Sequence, residues 1–239
     1  MVTDTHKSKL VVDLIHPSQT ENKTDGKDKK TFLYQVSQPP RQFFPTVLVM
    51  IWGLILLTLA SMAVVTLEDP IQWFYHAHVP FLYSFQVPAV ILVSGVLGFR
   101  YGILTIALYM VAGLLGLPVF AGGGSHHYYS ELTAGYILGF LFAPYGIQQM
   151  LIKAYNTPGK LQGRSLWIAV GALAVVIMIH GMGIATIAVH GLTGRISWLD
   201  AQHWIFQMSW PSLFYDFVFG FVAAASVRIL RMCFSLGLY

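Results

Sequence analysis

Charge is what this sequence has least of. Only 10% of its 239 residues are charged, against the roughly one quarter that keeps a soluble domain hydrated, and half of those charges lie before residue 42. With 56% hydrophobic residues and a mean hydropathy of +0.63, the remainder reads as a membrane protein. Cysteine is nearly absent too. Cys233, the single one, excludes an intramolecular disulfide framework and any zinc site built on several thiolates, and reads as an unpaired thiol near the end of the last helix. Enzyme signatures are missing: no H-E-x-x-H helix, no G-x-S-x-G elbow and no G-x-x-x-x-G-K-[ST] phosphate loop, so any ATP consumed on its behalf must be hydrolysed by another polypeptide. The pI near 9.1 comes without a basic, aromatic-interleaved patch, which argues against nucleic acid as a partner.

Residues 1–45 stand apart. Lys23, Lys27, Lys29 and Lys30 alternate with Thr24, Asp25, Gly26 and Asp28, and the segment closes on Pro39-Pro40. This composition predicts a disordered basic cytoplasmic tail. A cleaved leader would carry its apolar run at once, whereas the first such run begins at Thr46. Residues 46–239 then form one transmembrane domain.

Within it, apolar stretches at 46–66, 81–98, 102–118, 132–152, 166–190 and 210–227 each approach the ~17–25 residues that cross a bilayer as helix. The alternating ten-residue strands of a barrel are absent, so the expectation is an all-α protein of six transmembrane helices. Lys and Arg set its orientation. With the N-terminus inside, the tail cations, Arg100, Lys153, Lys160, Arg164, Arg228 and Arg231 all face the cytoplasm, and only Arg195 lies outside. Both termini are then cytoplasmic. Phe99-Arg100-Tyr101 makes a tight inner hairpin, Glu68, Asp69, Glu131 and Asp200 fall in outer loops, and the aromatic stretch 70–79 suits an interfacial segment. The expected location is the plasma membrane, multi-pass, against lipid.

Three features carry candidate chemistry. Asp216 lies inside the sixth apolar stretch. A carboxylate there costs at least about 2.5–3.5 kcal/mol on insertion scales, so it faces either an interhelical hydrogen bond or a ligand or ion. His180, within about a turn of the same depth, is either a helix contact or part of the same pocket wall. Gly181-Met182-Gly183 follows it and lets another group approach closely. The loop Ala121-Gly122-Gly123-Gly124-Ser125 is either a flexible turn or a set of backbone amides aimed at an anion. His126 and His127 are adjacent, poorly placed to chelate one metal, and His190 reads as interfacial. No metal is expected.

The run Gly95-Val-Leu-Gly-Phe-Arg-Tyr-Gly102, the stretch Gly113-Leu-Leu-Gly-Leu-Pro-Val-Phe-Ala-Gly-Gly123 and the stretch Leu132-Thr-Ala-Gly-Tyr-Ile-Leu-Gly-Phe140 resemble the BioY family, the biotin-specific membrane (S) components of energy-coupling-factor (ECF) transporters. The resemblance spans roughly residues 80–230. It implies an ECF S-component-like bundle with a pocket open to the outside, high-affinity biotin as substrate, and as partners an ECF transmembrane coupling subunit with a pair of ABC-type ATPases. It implies neither enzymatic activity nor a cofactor. The family's P-G-D-x-x-K motif falls on Phe214-Tyr215-Asp216-Phe217-Val218-Phe219, so the acid is kept and the lysine becomes Phe219. The resemblance then implies that Asp216 accepts the ureido N–H groups and that His180 serves the ureido oxygen. Phe120, Tyr136 and Phe219 would pack on the apolar ring and chain, and Gly123, Gly124 and Ser125 would hold the valerate carboxylate. Two other readings stay open: an S component for a different vitamin, and an intramembrane enzyme using His180 and Asp216.

Overall fold

The computed structural model describes residues 43–70, 79–121, 123–156 and 161–238. The expected tail lies almost wholly outside these, as do Lys160 and residues 71–78 of the aromatic stretch. Helix α1 (Phe43–Met62) leads into an antiparallel hairpin of β1 (Val64–Glu68) and β2 (Pro80–Ser84), with Val64 opposite Ser84 and Glu68 opposite Pro80. Then come α2 (Gln86–Leu114), a 3-10 turn (His126–Ser130), and α3 (Ala134–Gly139), joined through Phe140–Phe142 to α4 (Ala143–Asn156). Helices α5 (Leu161–Leu192) and α6 (Trp198–Leu238) complete the order. Among the described residues, four helical stretches are long and apolar enough to cross a membrane: Gln86–Leu114, Ala134–Asn156, Arg164–Leu192 and Trp198–Cys233. The apolar part of α1, Thr46–Met62, is shorter.

Helix α2 is not straight. Gly98 adopts φ 71° and ψ −170°, a region open essentially to glycine alone, and the chain doubles back there. The Gln86 side chain donates to Tyr109 Oη at 2.8 Å, although an unbroken helix would hold these residues about 34 Å apart at 1.5 Å per residue. The expected reversal near Phe99 is therefore present, but Gly98 makes it and 99–101 are helical. Gln148 closes the turn by accepting the Phe99 amide proton at 2.8 Å.

Three expected boundaries are corrected. The sequence predicts helix throughout 46–66 and 81–98, yet Val64–Glu68 and Pro80–Ser84 are strands. Val64-Val65-Thr66 is β-branched and favours extended backbone, and the hairpin pairs the backbone groups that a helix would otherwise pair internally. The last helix begins at Trp198 rather than residue 210. Its cap is Ser197, whose Oγ accepts the Asp200 amide at 3.1 Å and donates to the Asp200 carboxylate at 2.6 Å. Asp200 thus belongs to a first helical turn, where a negative charge is favoured.

The core lies where α2, α4, α5 and α6 meet, around the fully buried Val90, Ile91, Ile106, Val175, Val176 and Ile179. The outer face of α1 exposes Leu48, Trp52, Ile55 and Leu59, at the spacing of one helix stripe.

Candidate functional site

Asp216 is 3% exposed on α6. An ion buried this deeply is tolerated only with donors in place. Tyr83 Oη donates to Oδ1 at 2.8 Å, and His180 Nε2 meets Oδ2 at 3.0 Å. One proton lies between that ring nitrogen and the acid. His180 is likewise 3% exposed, and its Nδ1 is buried with no hydrogen-bond partner. Side chains from β2 and α5 therefore converge on one acid from α6.

Tyr136 of α3 stands edge-on to the His180 ring, 5.6 Å between centroids at 86°, and its hydroxyl bonds Ser209 Oγ at 2.6 Å. It can lie there because α5 offers Gly183: a Cβ at that position would fall inside the Tyr136 ring. The glycine pair after His180 thus has one member that admits a neighbouring side chain, whereas Gly181 faces open space.

These groups line a cavity of about 730 Å³, within the ~300–1,000 Å³ of small-molecule sites. Helix α6 contributes Trp204, Gln207, Met208 and Ser212 beside Asp216, and the α3 region contributes Thr133, Tyr136, Ile137 and Phe140. Both sets recur at three and four residues, the spacing of one helix face. The hairpin closes the remaining side with Thr66 and Tyr83. Tyr128 also lines it; burial pushes that phenol above its ordinary pKa, the hydrogen bond from Thr133 offsets part of the effect, and the ring stays neutral at physiological pH.

Of the residues predicted from sequence, Asp216, His180 and Tyr136 come together on the cavity wall. The others do not line it. Phe219 packs one layer behind, 5.7 Å from the Tyr83 ring and 5.1 Å from Phe85. Phe120 is buried between Tyr109 and Tyr128, at 5.3 and 4.5 Å, with its ring against Gly113. The Gly123 amide donates back to Phe120 O at 2.9 Å, and a Cβ on Gly124 would strike the Leu117 carbonyl. Ser125 Oγ accepts the His127 amide and so caps the 3-10 turn. His190, read as interfacial, is instead buried, its ring nitrogens 2.9 Å from Thr186 O and 3.2 Å from Ser130 O, tying the loop to α5. Among the described residues no group of three His, Cys, Asp or Glu is placed to hold a metal.

Sequence reasoning missed Tyr83, Gln86 and the α6 face. The last was within reach: once Asp216 is fixed, stepping back by fours gives Ser212, Met208 and Trp204. Tyr83 had no such signal, because it lies 133 positions from its partner.

The chain resembles known proteins. It is 32% identical over 107 residues to the biotin transporter BioY of Thermotoga maritima, covering 42% of this chain and 63% of that one. It is 37% identical over 82 residues to a probable biotin transporter BioY of Lysinibacillus sphaericus, covering 34% and 41%. A probable biotin transporter BioY of Pyrococcus horikoshii shares 45% over 64 residues, covering 26% and 39%. Each match thus spans less than two thirds of the relative's own length. The crystal structure of an S-component for biotin from an ECF-type ABC transporter shares the fold, with a TM-score of 0.56 at 20% identity over 78% of this chain and 90% of that one. The BioY family profile matches residues 38–235, so from its motifs, its helical architecture and this match together, the chain belongs to the BioY family.

Proposed function

We propose that the protein is the membrane-embedded substrate-binding component of a biotin uptake system. The observation that carries this reading is a buried carboxylate, Asp216, on the wall of a vitamin-sized cavity, hydrogen-bonded to Tyr83 and His180. Each carboxylate oxygen has more than one acceptor direction. A cyclic urea brings two N–H groups on one edge, which suit those directions as charge-assisted hydrogen bonds. Tyr136 and Phe140 offer apolar surface to the rest of the molecule, while Phe219 and Phe120 back the wall from behind. Gly123, Gly124 and Ser125 shape the loop between Ala121 and Tyr128, both cavity-lining, and this loop is where the valerate carboxylate would emerge.

The same reading counts the two arms of α2 separately and so gives six spans with both termini cytoplasmic. Cations support that orientation. Arg231 donates to Gly95 O at 2.8 Å beside the Gly98 turn, Arg228 lies over Tyr155 and Lys153 over Trp167. Residues 1–45 are then an inside tail on a 46–239 transmembrane domain, and the cavity opens outward past the hairpin. No phosphate-binding loop exists in the chain, so uptake draws on a separate coupling subunit and a pair of ATPases. Family and cavity alike support a transport role.

Calorimetric titration of the purified full chain with biotin tests the assignment. Binding is expected, and Asp216→Asn should weaken it about ten- to hundredfold, the range of a lost hydrogen bond to a charged group. Neither heat nor thermal stabilisation at micromolar biotin would overturn it. Phe219 at the lysine position favours a second reading, an S component for another nitrogen-rich vitamin. Native mass spectrometry of the co-purifying molecule separates the two.

A further inference from the structure

The cavity has a floor and a rim. Asp216, His180 and Tyr83 are buried, whereas Thr66, Leu82 and Gln207 line the same space and are exposed. On α6 the rise from Asp216 to Gln207 is about 13–14 Å at 1.5 Å per residue. With bonds of about 1.5 Å, a fused ring carrying an extended five-carbon acid spans on the order of 10 Å. A biotin whose ring lies at Asp216 therefore brings its carboxyl group to the rim. No lysine or arginine is among the described lining residues, and residues 70–79 contain neither. Arg195 is not on this wall; its Nη1 lies 3.4 Å from His190 Nε2. The other cations of the transmembrane domain belong, in the proposed orientation, to the opposite face.

We propose that the protein also binds biotin whose carboxyl end is an amide, biotinyl-lysine included, about as tightly as the free acid. This rests on the biotin reading for the ring site. The groups that the outer part of the wall offers are neutral: the Thr66 hydroxyl, the Gln207 amide and the Trp204 indole. Each can donate to an oxygen of a carboxylate or of an amide, and the hydroxyl and the Gln207 carbonyl can accept the N–H that an amide adds. A carboxylate at an exposed rim also keeps its water, and ionic contacts at such places contribute little. The acid therefore has no advantage that the amide lacks. The substituent on the amide nitrogen continues outward past the same exposed residues, so the cavity volume does not limit its length.

The probes are biotinamide, which removes the charge alone, and biocytin, the amide with the lysine side chain, which adds length. Both are titrated alongside biotin into the detergent-purified full chain at pH 7.5. The expected result is a Kd for each amide within about tenfold of that for biotin. Gln207→Arg places a cation at an exposed position of the rim, where a substitution leaves the core untouched. It should create a severalfold preference for biotin over biotinamide that the wild type lacks. Absence of that preference would remove the carboxyl end from the rim and overturn the inference. Biotin binding with either amide more than tenfold weaker in the wild type would also overturn it and leave the biotin reading standing. Amide binding without biotin would overturn that reading and support this one. Binding of none of the three would overturn both.

Discussion

Asp216 and His180 could be singled out because they are ionisable groups inside otherwise apolar runs, and such groups are too costly in a membrane to be idle. What could not be read was the coupling of Asp216 to Tyr83, which lies on a strand that the sequence presents as the start of a helix. That coupling makes a distinctive prediction. Tyr83→Phe removes one donor from a buried carboxylate and should destabilise the empty protein by about 1–3 kcal/mol. A ligand N–H can take the vacated acceptor direction, so biotin should raise the melting temperature more in the variant than in the wild type. Differential scanning fluorimetry with and without biotin measures this. An affinity more than tenfold weaker in the variant would instead mean that the tyrosine hydroxyl touches the ligand.

Among the elements, helices were legible and their ends were not. Apolar runs mark where helices pass, but Val64–Glu68 and Pro80–Ser84 are equally apolar and pair as strands. Only the partner strand decides between the two, and it lies beyond residues 69–79. The twelve extra residues at the start of α6 follow from a local cap at Ser197 that hydropathy cannot register. The Gly98 reversal was anticipated as a tight turn, though its pivot falls one residue early. Gly98→Ala tests the pivot: the observed φ excludes a side chain without strain, and a Cβ would sit 2.9 Å from Gln148 Oε1. The expected loss is about 1–3 kcal/mol, read as a lower thermal midpoint, with biotin binding retained in the fraction that folds. An unchanged midpoint would place the reversal elsewhere.

As a BioY-family chain with several membrane-length apolar helices, the molecule is a multi-pass protein of the plasma membrane. The lone cysteine, exposed near the end of α6, makes its topology directly measurable. If the C-terminal end is cytoplasmic, a membrane-impermeant maleimide should label Cys233 only after cells are permeabilised, and labelling of intact cells would reverse the orientation. The bundle was readable in outline because charge and hydropathy are local properties. The cavity was not, because its wall is assembled from a hairpin, the α3 region, α5 and α6, and only α6 and α3 signal their inward faces by spacing. The bond from Tyr83 to Asp216 reaches from early to late in the polypeptide, and this has a bearing on biogenesis. A nascent chain halted before its final helix emerges has the tyrosine but neither the acid nor the floor around it, so a small molecule that fits the cavity cannot chaperone folding until synthesis is nearly over.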